Sequence, residues 1–99
     1  MASTHADLDA GTVLVLRALV PYNQMPDADT IAHLVDDLLT HGGYLLRDVA
    51  GLGEASAALG DWHNLTTHGP TDSPMGNWNH ARALARAVRS MHRALTGQQ

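Results

Sequence analysis

The chain has 99 residues, with six arginines, no lysine, ten acids, seven histidines and no cysteine, for a formal net charge of -4. That length accommodates one domain and excludes a second independent core. The missing cysteine excludes disulfides, thiolate zinc sites and cysteine nucleophiles.

Phenylalanine is absent and Ile31 is the only isoleucine, so apolar mass rests on Leu, Val, Ala, four Met and two Trp. Such a composition favours helices over sheets. Residues 1–10 carry no Lys or Arg and no apolar run, unlike a secretory signal, and the apolar run at 13–16 is far too short to span a bilayer. The expectation is a cytoplasmic protein with no membrane association.

Residues 12–20 are apolar almost all round, interrupted by Arg17 and ended by Pro21. Alternation would suit a strand, but Leu8, Thr12, Val15, Leu16 and Leu19 share a helical face, and a helix is the reading adopted. The breaker 21–26 follows, and Asp27 or Asp29 offers a carboxylate to the free amides of the next helix. From Ile31, the residues Leu34, Val35, Leu38, Gly42, Leu45, Leu46, Val49 and Leu52 lie within about 60° of one stripe. The stripe keeps its phase through Gly42 and Gly43, which argues for continuity or a mild kink and puts Gly42 at a packing surface.

A third segment repeats Ala55, Ala58, Leu59, Trp62 and Leu65 on one face, weakened by Gly60. Residues 66–77 read as a polar, breaker-rich loop. Asn77 or Asn79 is then the expected cap of a last helix burying Leu84, Val88, Met91 and Leu95. Together these elements predict an all-α, up-and-down four-helix bundle, with helices near 8–20, 29–50, 54–66 and 78–95 and frayed tails at 1–6 and 97–99.

Four groups of residues invite a functional reading. Arg82, Arg86, Arg89 and Arg93 fall within a sector of about 60° on the last helix, a stripe suited to phosphate or to an acidic partner. No aromatic interleaves them, the chain is net acidic, and Asp36, Asp37 and Asp48 are available to neutralise them, so a structural or protein-partner role outweighs nucleic-acid binding. His33, Asp37 and His41 stack at successive turns as weak metal candidates. However, His33 and His41 lie about 12 Å apart along the axis, too far for one ion to bind both. Trp62 and Trp78 flank the long loop and read as core packing. His63, His68, Asp61 and Asp72 gather near that loop as possible acid-base groups. No nucleophile, oxyanion donor or phosphate loop accompanies them, which leans away from an enzyme and from any cofactor.

The run Leu19, Val20, Pro21, Tyr22, then Leu38, Leu39, Thr40, His41, Gly42, and the last helix from Asn79 through His80, Ala81, Arg82, Ala83, Leu84, Ala85 and Arg86 to Leu95 carry a resemblance. In this order they resemble small uncharacterised proteins of actinomycetes labelled as natural-product biosynthesis proteins. Asn23 stands where an acid is expected after the Pro-Tyr pair, and the resemblance brings no catalytic residues. The functional expectation is a non-catalytic accessory or regulatory protein that self-associates or docks on a protein partner. A nucleic-acid-binding regulator using the arginine stripe, and a ligand-binding protein or enzyme with a histidine site near 66–77, are the alternatives.

Overall fold

The stretch that periodicity left between strand and helix is helical. In a computed structural model the chain forms an all-α four-helix bundle of α1 (Ala2–Ala18), α2 (Ala28–Val49), α3 (Ser56–His68) and α4 (Pro74–Thr96), with single 3₁₀ turns at Tyr22–Gln24 and Gly53–Ala55. The structure describes residues 2–68 and 73–96, with side chains from Ala10 onward other than those of Glu54, His68 and Pro74. The tail at 97–99 and the loop residues 69–72 lie outside it. No described helix is long and apolar enough to cross a membrane.

Helix ends follow local chemistry that differs in detail from the expectation. Asp27 is the N-cap of α2, but its carboxylate makes no bond to the helix amides and instead accepts the hydroxyl of Thr30. At α4 the cap is Ser73, not Asn77 or Asn79: its Oγ accepts the Gly76 amide at 3.0 Å, and Pro74 opens the helix, where a missing amide proton costs nothing. The breaker-rich stretch is therefore shorter than 66–77. Near the end of α3, Thr66 Oγ1 donates to the Trp62 carbonyl at 2.9 Å and Thr67 Oγ1 to the His63 carbonyl at 2.7 Å. These hydroxyls bond carbonyls of the last two turns from within the helix.

The α2 stripe is continuous through both glycines, burying Ile31, Leu34, Val35, Leu38, His41, Gly42, Leu45 and Val49. α2 packs most extensively on α4, whose Trp78, Leu84, Val88 and Met91 are fully enclosed. α1 lies against both of these helices, and α3 packs on α4. α1 differs from the others in kind. It buries Gly11, Val15 and Ala18 but leaves Val13 and Leu16 in solvent, because a helix that is apolar all round has more apolar surface than one contact face can cover.

Candidate functional site

Two glycines set the closest helix approaches. Gly42 of α2 faces the indole of Trp62, and a Cβ built on it would overlap the ring, reaching 2.6 Å from Cζ3. Gly11 of α1 faces two imidazoles at once: a Cβ there would overlap His41 Nε2 and stand 2.6 Å from His92 Cε1.

Beneath Gly11, His41 of α2 and His92 of α4 meet with Nε2 atoms 2.9 Å apart and rings perpendicular. One Nε2 donates and the other accepts, so the hydrogen bond between them holds a single proton and requires one ring to be the Nε2-H tautomer. Burial, and secondarily the charge of His41, push the His92 pKa down from 6.5 to about 4. Both residues sit at the edge of their apolar stripes, His41 about 80° and His92 about 70° from the stripe centre at about 100° per residue. That position is the one sequence signal of the pair. The His33, Asp37, His41 stack is split accordingly: His41 turns inward to His92, whereas His33 and Asp37 stay exposed. No group of three or more potential metal ligands forms among the described residues.

The four arginines also part company. Arg82 is half-buried and donates through Nη1 to the Ala18 carbonyl at 3.1 Å and to the Val20 carbonyl, while its guanidinium stands 5.5 Å from the ring centroids of both Tyr22 and Trp78. It thereby satisfies carbonyls at the end of α1 and holds the linker, helped by Trp78 Nε1 donating to the Tyr22 carbonyl at 3.2 Å. Arg86, Arg89 and Arg93 are exposed. Arg86 lines a cavity of about 380 Å³ between α3 and α4, with Asp61, Asn64 and Ser90. Arg89 and Arg93 flank His92 in a groove against α1. None of the acids proposed to neutralise the stripe forms an ion pair with it among the described residues.

His80 is a further buried histidine, and its Nε2 has no hydrogen-bond partner among the described residues; burial lowers its pKa. Of the loop group, Asp61 and His63 are exposed on α3, whereas Asp72 and the side chain of His68 lie outside the described residues.

The outward side of α1 completes the site. Leu16 is 65 % exposed and Val13 48 %, and Tyr44, at 72 %, stands beside Val13 from α2. Between α1 and α2 run two cavities of about 330 and 480 Å³, both lined by Arg17 and Asp37. The first adds Val20, Pro26, His33 and Leu34, and the second Val13, Leu14 and Tyr44. They meet at Arg17 and Asp37 to form one trough, whose mainly apolar walls also carry Gln24, Thr30 and His33 on one side of this cation and anion and Thr40 and His41 on the other.

The geometry defines an all-α four-helix bundle with large apolar side chains exposed along α1. The chain belongs to a family of unknown function, DUF6415, whose model matches residues 12–99. No curated protein and no solved structure matches it.

Proposed function

We propose that this is a non-catalytic interaction protein, cytoplasmic and self-associating, whose contact surface is the outward side of α1. The observation that carries the reading is the exposure of Leu16, Val13 and Tyr44 on one side of the bundle. Single exposed apolar residues are ordinary, but Val13 and Tyr44 line the trough between α1 and α2 while Leu16, one turn along α1 from Val13, lines the groove against α4. Exposed apolar surface therefore runs across the outward side of α1, as at interaction sites. Sedimentation velocity over a range of concentrations is the test. A dimer that Leu16→Glu converts to monomer supports the reading, and a strict monomer at high concentration ends it.

The resemblance to actinomycete proteins supports an accessory role in natural-product biosynthesis. Deleting the gene and profiling metabolites tests that role, and an unchanged profile refutes it. A nucleic-acid reading rests on Arg86, Arg89 and Arg93, which are exposed, aligned and without ion pairs among the described residues. Binding of generic DNA that weakens steeply with salt would support it; no binding at low salt would end it.

A further inference from the structure

Arg17 and Asp37 stand out in the α1–α2 trough because each lines both of its basins and neither forms an ion pair with any described residue. Both are exposed. An opposite-charge pair held in one trough without meeting has unused pairing capacity on both members, and the apolar surface around it lacks a cover. Most partners would satisfy one charge and leave the other facing apolar surface, which is costly once water is excluded. A second copy of this chain satisfies both. In a two-fold interface a residue that contacts another is itself contacted by that residue's equivalent, so a face bearing one cation and one anion is complementary to itself.

We infer that two copies associate about a two-fold axis across the outward side of α1, with Arg17 of each copy paired to Asp37 of the other. The inference rests on the self-association proposed above and specifies its geometry. Val13 and Tyr44, which line the trough, supply the apolar contact, with Leu16 at its edge toward α4, and the two reciprocal ion pairs fix orientation and exclude partners of the wrong charge. Guanidinium and carboxylate suit this task, since a bidentate contact adds direction to attraction.

Charge reversal tests it in the full chain. Arg17→Asp gives a face with two acids, and Asp37→Arg gives one with two bases. Each variant alone should dimerise at least about tenfold more weakly than the parent, because both reciprocal contacts become repulsive. Mixed together, the two variants should form a heterodimer of near-parental affinity, since every cross-contact is then acid to base; two fluorophores report it by energy transfer. The double variant Arg17→Asp with Asp37→Arg should recover a homodimer. Both side chains are exposed, and helical content measured by circular dichroism should stay at the parental level. Self-association that ignores each reversal overturns this geometry while leaving the self-association reading standing. A monomeric parent overturns both. Single variants that fail to dimerise, with neither heterodimer nor double-variant rescue, overturn the reciprocal pairing.

Discussion

Gly11 and Gly42 perform the same geometric task against unlike neighbours. Each brings a helix so close to a ring that no side chain fits. At Gly42 the ring is the indole of Trp62, buried and apolar at the point of contact, so the approach is a matter of packing alone. At Gly11 the rings are two imidazoles joined by a hydrogen bond, so the approach also depends on a proton. The same backbone device gives a pH-independent joint in one place and a titratable joint in the other.

The comparison is broken most severely by deleting the indole. Trp62→Ala should cost about 3–5 kcal/mol, the range for truncating a large buried aromatic, and denaturant unfolding will measure it. Gly42→Ala should cost about 2 kcal/mol by overpacking, since a rigid ring must move. The two changes should not add: in a Trp62→Leu background the cost of Gly42→Ala should fall well below its value in the parent, because the ring it strikes is gone. Additive costs would mean that Gly42 is constrained by something other than Trp62.

How much of this was legible in the sequence differs between the two joints. Periodicity alone placed Gly42 inside the α2 stripe and so at a packing surface, because a stripe position is a local, angular property. Gly11 carried no such mark. What constrains it is a contact between His41 and His92, which are 51 residues apart, and only tertiary packing creates it. The arginine stripe shows the same limit. Angles put Arg82 with Arg86, Arg89 and Arg93, but its height along α4 sets it beside the end of α1, where it binds carbonyls that the other three do not reach. Asp27 and Ser73 make the point for caps: both residue types favour helix starts, but only Ser73 bonds the amides, and its Ser-Pro sequence read locally as loop. The outward side of α1 was legible only in part, since an all-round apolar helix announces excess apolar surface without saying which side stays uncovered.

At the other joint, Gly11→Ala should cost about 1–2 kcal/mol, less than Gly42→Ala, because an imidazole at the end of its side chain swings aside more readily than a packed indole. The swing breaks the hydrogen bond between His41 and His92. Native-state hydrogen exchange should therefore show faster opening of α1, with α3 unaffected. Equal acceleration in α3 would show that the histidine pair does not act specifically on α1.

The pH dependence of stability separates the two joints most cleanly. His92 titrates near 4 in the folded chain against 6.5 in the unfolded one, so between these values the unfolded chain binds more protons. Stability therefore rises with pH across that window: the full contribution is present above about 6.5 and is lost as pH falls toward 4. With the screening of a half-buried ring allowed for, the loss is about 1–2 kcal/mol. Comparing denaturation midpoints at pH 7 and pH 4.5 measures it, conditions within reach of a bundle this size. In His92→Leu the slope should shrink but not vanish, since burial also lowers the His80 pKa and contributes with the same sign. Gly42→Ala, which touches no titrating group, should shift the whole curve down and leave its slope unchanged. If His92→Leu kept the parental slope, the proton between the two imidazoles would play no part in holding α1, and the Gly11 joint would be a matter of packing like its counterpart.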